Sequence, residues 1–216
     1  MIWWVYQEVS KVKKINQVIV ATDDERIANV CEEFQMSYIM TKNNHVNHIC
    51  RIAEVSEKIE ADYYVCVNGD EPLIKHSNIN DVIPNAVVMD DIFVQCLYRD
   101  LYDPVETMDS SNVKACILSD GRCIYLSRSI VPFPKGTINF RYKKLVGIEC
   151  FNKKALDFYY SSEMGDIEKI EDIDHLRFIE HGVPLILKRT ESESLSVDTK
   201  NDLEKVRRIM SQRLNS

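Results

Sequence analysis

Tyr63-Tyr-Val-Cys-Val-Asn-Gly-Asp-Glu-Pro72 runs from an unbroken apolar stretch straight into a turn bearing adjacent carboxylates. Such a run, rich in aromatic and β-branched residues, is what a strand buried on both faces requires. Asn68-Gly69 and Pro72 then end it, because glycine allows a tight backbone passage and proline fixes the exit. Upstream, Val18-Ile-Val-Ala21 reads as another buried strand. Thr22-Asp-Asp-Glu25 reads as a capping box, opening a helix with Ile27, Val30, Cys31 and Phe34 on one face. Tyr38-Ile-Met40 and a helix from His45 to Ile59 repeat the unit. Alternation of strand and helix predicts an α/β fold, a Rossmann-like and mostly parallel sheet with helices on both faces.

Further out the rhythm changes. Before the first strand, Ile2, Val5, Val9 and Val12 recur at helical spacing, with Lys11, Lys13 and Lys14 near the helix end. From Ile92 onward, Val113–Leu118 and Cys123–Leu126 flank Ser119-Asp-Gly-Arg122, a hairpin signal, and Leu145–Phe151 is a further strand. An antiparallel insertion over about residues 92–150 is therefore expected. Helices follow over Asn152–Tyr160 and Ile167–His181, the second closed by Gly182. A last strand, Pro184–Lys188, and a terminal helix, Thr199–Met210, complete a single domain over residues 1–216.

The net charge of −7 and pI near 5.3 argue against nucleic-acid binding, which draws on clustered Lys and Arg. The seven cysteines are odd in number and lack C-x-x-C spacing, as expected of reduced thiols in a cytoplasmic protein. No stretch has the length of a membrane span, and the first residues lack a signal-peptide pattern.

In open α/β sheets, ligands bind beyond the carboxyl ends of the strands, which makes Asn68, Gly69 and Asp70 candidates. Adjacent carboxylates there suit a hard cation such as Mg²⁺, although Asn-Gly and Asp-Glu-Pro are also ordinary turn chemistry. Asp198, in Leu195-Ser-Val-Asp-Thr199, is either a second carboxylate for the same cation or an N-cap for the last helix, with Asp202 extending the pattern from Thr199.

The chain resembles the CMP-Kdo synthetases, the 3-deoxy-manno-octulosonate cytidylyltransferases, over nearly its whole length. The matching pieces are Val20-Ala-Thr-Asp-Asp-Glu-Arg26, Val67-Asn-Gly-Asp-Glu-Pro72, Ser111-Asn-Val-Lys114, Tyr125-Leu-Ser-Arg128 with Pro132, and Leu145-Val-Gly-Ile148. Ile167-Glu-Lys-Ile-Glu171 with Leu176-Arg177, and Val197-Asp-Thr199 with Asp202-Leu-Glu204, continue the match in order. The resemblance implies that Asp70 and Asp198 hold Mg²⁺ and that Arg128, Glu168 and Glu171 lie near the sugar. It implies transfer of CMP from CTP to a small anionic acceptor, for capsule or surface-polysaccharide building, by a protein that pairs as a homodimer through the antiparallel insertion.

The sequence departs from the family at three places. Members open with a strand and a loop of the form P-A-R-x-x-S-x-R-L-P-G-K-P around the CTP phosphates, and Met1-Ile2 aligns just after it. The 216-residue chain is accordingly expected to bind CTP poorly, and the alternative to an enzyme is an inactive, truncated homologue serving as a binding or assembly module. Asn47-His-Ile-Cys-Arg51 stands where the family has S-G-T-[DE]-R beside the nucleotide, leaving Arg51 as the matching nucleotide contact and bulky His48 and Ile49 as departures. His45 and His48 are expected to be a solvated helix start, metal ligation requiring a third partner. On the sugar side Leu145 replaces a family His, and Asp174 or His175 a family Gln. With Lys143, Lys144 and Arg128 nearby, His175 and Lys143 become acceptor-site candidates, and a smaller or phosphorylated acceptor is expected in place of Kdo.

Overall fold

In the computed structural model, which describes residues 1–88, 90–137, 139–191 and 195–214, the chain opens with α1 (Ile2–Ser10). It alternates through β1 (Val20–Thr22), α2 (Glu25–Glu33), β2 (Tyr38–Met40), α3 (His48–Ser56), β3 (Tyr64–Val67) and α4 (His76–Val82). Next come β4 (Val94–Asp100), α5 (Pro104–Met108), β5 (Lys114–Ile117), β6 (Arg122–Ser127) and β7 (Lys143–Phe151). The last elements are α6 (Lys153–Ser161), α7 (Asp166–Glu171), α8 (Leu176–Glu180), β8 (Leu185–Arg189) and α9 (Lys200–Leu214).

β1 and β2 form a parallel pair, and the other six strands form one sheet in the order β3-β7-β4-β8-β6-β5. β4 and β8 are parallel, and β3 shares their direction because β3 and β4 are each antiparallel to β7. The antiparallel component read from residues 92–150 thus reaches further than a peripheral insertion, since β7 lies inside the sheet between β3 and β4. Its side chains explain the position. Val146, Ile148 and Cys150 join α1, the turn after it and α4 through Val5, Val12, Ile79 and Val82. Phe151 joins the opposite core with Ile49, Ala53, Leu156, Tyr159 and Phe178 of α3, α6 and α8. Helices therefore cover both faces, as the alternation predicted, and each fully buried Leu, Ile or Phe contributes on the order of 2 kcal/mol.

Three local expectations are corrected. The cap of α2 is Asp24, whose carboxylate accepts the Arg26 N–H at 2.8 Å, while the Thr22 hydroxyl accepts the Asp24 N–H. Within α2, Ala28 and Cys31 are buried but Ile27 and Phe34 are exposed, so its apolar stripe is narrower than the pattern implied. The helix expected over Ile167–His181 is two helices, broken where Asp172 turns left-handed at φ 53°. α4 and β4 had no clear sequence signal; β4 mixes Gln95, Arg99 and Asp100 into its apolar run. Gly182 does end α8, at φ 75°. Among the described residues no helix is long and apolar enough to cross a membrane, and the seven cysteines are free.

Candidate active site

β3 stops at Val67, opposite Ile148, so the following turn lies over Gly147 of β7. The Asn68 N–H donates to the Gly147 carbonyl at 3.3 Å, and the Glu71 N–H to the Asn68 carbonyl at 3.3 Å. A Cβ on Gly147 would stand 2.6 Å from Glu71 Oε1 and 2.7 Å from Asn68 Nδ2, so any larger residue there would push these two side chains of the turn off their places over the sheet.

Asp70, at the apex, is half-buried, and its Oδ1 is shielded from solvent with no hydrogen-bond partner. Burial raises its pKa above the ordinary carboxylate value, and the charge of Asp198 adds to the rise. The Asp70 carbonyl accepts the Val197 N–H at 3.0 Å, which pins the segment carrying Asp198 beside the turn. Asp198 is not the cap of α9. Thr199 and Asp202 cap it reciprocally, the Thr199 N–H and hydroxyl reaching Asp202 Oδ2 at 3.0 and 2.6 Å. Asp198 is exposed. Two carboxylates that repel one another, one with a buried oxygen lacking a partner, are the donor set a hard cation fits. Arg51 joins the ends of β1 and β2 to α3, pairing with Asp23 Oδ1 at 3.1 Å and donating to the Thr41 hydroxyl.

Glu149 of β7, opposite Cys66 and Cys96 in the neighbouring strands, was not singled out by the sequence reading; its signal was one acid inside the apolar run Leu145–Phe151. It is buried between two imidazoles, with His48 Nε2 at 3.0 Å from Oε2 and His175 Nε2 at 3.0 Å from Oε1. Asp174 Oδ2 lies 3.2 Å from the other nitrogen of His48, Nδ1. Burial opposes charge on His48, but the Glu149 and Asp174 carboxylates outweigh it and push its pKa up to about 10. Burial likewise opposes charge on Glu149, yet the two imidazoles hold its carboxyl well below the ordinary value. The expectation of a merely solvated His48 is corrected, and His45 pairs with Glu54 at 2.6 Å and is largely buried.

The remaining candidates sit in a different environment. Glu168 is buried and gives both oxygens to Arg177, at 2.8 and 2.7 Å, with the Arg177 guanidinium 4.0 Å above the Tyr159 ring. Glu171 accepts from the Ser127 hydroxyl at 2.6 Å, the Tyr125 hydroxyl at 3.1 Å and the Arg128 N–H at 2.9 Å. The Arg128 side chain donates to the carbonyls of Glu171 and Asp172, each at 2.7 Å, capping the broken end of α7. Lys143 lies over the Phe140 ring at 5.2 Å. His175 is the one acceptor-side candidate brought into the Glu149 cluster.

The family model described as Cytidylyltransferase matches residues 1–207. The chain is 36% identical over 207 residues to a 3-deoxy-manno-octulosonate cytidylyltransferase of Fusobacterium nucleatum, covering 95% of this chain and 84% of that protein. It is 33% identical over 210 residues to the enzyme of the same name from Solibacter usitatus, covering 97% and 83%. The solved structure of CMP:2-keto-3-deoxy-manno-octonic acid synthetase complexed with CTP superposes with a TM-score of 0.91 at 30% identity, over 98% of this chain and 88% of that one.

Proposed function

Because the chain belongs to the cytidylyltransferase family, we propose that it transfers CMP from CTP to an acidic sugar in surface-polysaccharide building, releasing pyrophosphate, with Asp70 and Asp198 holding Mg²⁺. The observation that carries this reading is the Asp70 carboxylate, whose buried Oδ1 has no partner and whose charge is opposed by Asp198. When bound, the cation would neutralise the phosphates of the nucleotide for in-line displacement. The chain's own part is positional. Gly147 seats the turn, the Val197 N–H bond to Asp70 keeps the two carboxylates together, and Arg51 ties α3 to the ends of β1 and β2.

An acceptor hydroxyl attacks the α-phosphate and gives up its proton to water, a bond to phosphorus forms, and the bond to the pyrophosphate oxygen breaks. The relatives named above are called after 3-deoxy-manno-octulosonate, which supports an acidic sugar as first choice over a small phosphorylated metabolite. The test is pyrophosphate release by the full chain with Mg²⁺ and each acceptor class in turn, with CTP raised to saturation so that weak nucleotide binding does not hide turnover. Turnover with Kdo, reduced more than about 100-fold by Asp70→Asn, is the expected result. Release unchanged in that variant, or none with any acceptor, would overturn the reading.

A further inference from the structure

We propose that His48, Glu149 and His175 form a binding site for one divalent transition-metal ion of the zinc class, distinct from the carboxylate pair Asp70 and Asp198. The three side chains come from separate elements: the first turn of α3, the inner strand β7 and the residue preceding α8. Their ligand atoms all lie within 4.8 Å of one another, and each imidazole Nε2 is 3.0 Å from a Glu149 oxygen. Ligands held about 2.0–2.2 Å from one tetrahedral ion stand roughly 3.3–3.6 Å apart, so each histidine–glutamate separation has to open only slightly to admit it.

Two further observations point to an ion. His175 is only 4% exposed, and its Nε2 faces Glu149 at 3.0 Å without the alignment of a hydrogen bond to any group. Coordination would give that buried nitrogen the aligned partner it lacks. On the other imidazole, Asp174 Oδ2 stands 3.2 Å from His48 Nδ1. A carboxylate on the far nitrogen is the outer contact that fixes the tautomer of a metal-binding histidine and turns the Nε2 lone pair toward the ion. Imidazole nitrogens with one carboxylate select borderline ions over Mg²⁺ or Ca²⁺. Three protein ligands leave a fourth position open, and half-buried His48 makes the side from which water or an anionic oxygen would reach it. The competing arrangement is a metal-free ion-pair cluster in which a proton on His48 occupies the place of the ion.

The inference does not depend on the reading of Asp70 and Asp198, and its test is binding of the metal alone. The full chain, stripped with chelator, is titrated with Co²⁺ and with Zn²⁺ near neutral pH, by calorimetry and by visible absorption. One equivalent is expected, with the absorption of cobalt in a nitrogen and oxygen environment and no thiolate band. His175→Gln and Glu149→Gln should each weaken binding more than about 100-fold, and Asp174→Asn by about 10–100-fold. The double variant Asp70→Asn with Asp198→Asn should bind as tightly as the parent. Melting of each metal-free variant establishes that it folds, and Asp174→Asn, which removes no ligand, keeps the test open if one of the others does not. Failure of the folded parent to take up stoichiometric Co²⁺ would establish the ion-pair cluster and overturn the proposal. Uptake with a thiolate band, or uptake insensitive to His175→Gln, would overturn it too.

Discussion

Glu168 and Asp70 are both acids in stretches that resemble the motifs of one family, yet their surroundings are opposite. Around α7 and α8 the charges are consumed within the protein: Glu168 by Arg177, Glu171 by Ser127, Tyr125 and Arg128, and Arg128 by released helix carbonyls. At the end of β3, Asp70 has a buried oxygen with no hydrogen bond and a like charge as neighbour. A satisfied buried ion pair holds structure together, and breaking it leaves a charge stranded in low dielectric. An unsatisfied acid costs stability and is a candidate for holding a ligand. Carboxylates that look alike in a motif thus divide into those the fold has spent and those it leaves available.

The largest effect should come from the spent side. Glu168→Ala strands the Arg177 guanidinium and should lower stability by about 3–5 kcal/mol in urea denaturation. A loss below about 1 kcal/mol would mean that the Tyr159 and Ser162 carbonyls, which also accept from Arg177, suffice. Asp70→Asn should behave in the opposite way. Turnover falls more than about 100-fold, while the metal-free melting temperature is unchanged or rises, because a carboxylate whose pKa is raised by folding weakens the folded state at neutral pH. A marked drop in melting temperature would erase the contrast between the two sites.

Gly147→Ala probes what seats the available acid. The added methyl displaces Asn68 and Glu71, and kcat/KM should fall by roughly 10–100-fold with far less effect on melting. Wild-type kinetics would show that the turn shifts without moving Asp70. The smallest effect separates the two roles weighed for Asp198. Thr199→Ala removes the hydroxyl from the reciprocal cap and should cost about 1 kcal/mol. Asp198→Asn should leave stability near that of the parent and reduce turnover; the reverse pattern would return Asp198 to a capping role.

Elements whose signal is local were legible from the residues alone. The apolar run before Asn68, the strand Tyr38–Met40, the Asp-Gly hairpin and the glycine after α8 were all readable, because burial on two faces and a left-handed turn restrict residue type directly. The Asp70 turn was equally plain, since strand, glycine, acid and proline are consecutive. The placement of β7 inside the sheet depended on pairing with strands more than forty residues away, which no window of sequence reports. The break at Asp172 depended on Arg128, just past the end of β6, meeting the freed carbonyls. Glu149, His48 and His175 lie far apart in the chain, and each alone reads as an odd polar residue in an element of another character. Composition and spacing determine which groups a chain owns; only the tertiary structure decides which are neutralised by one another, because that rests on distances of about 3 Å between residues remote in sequence.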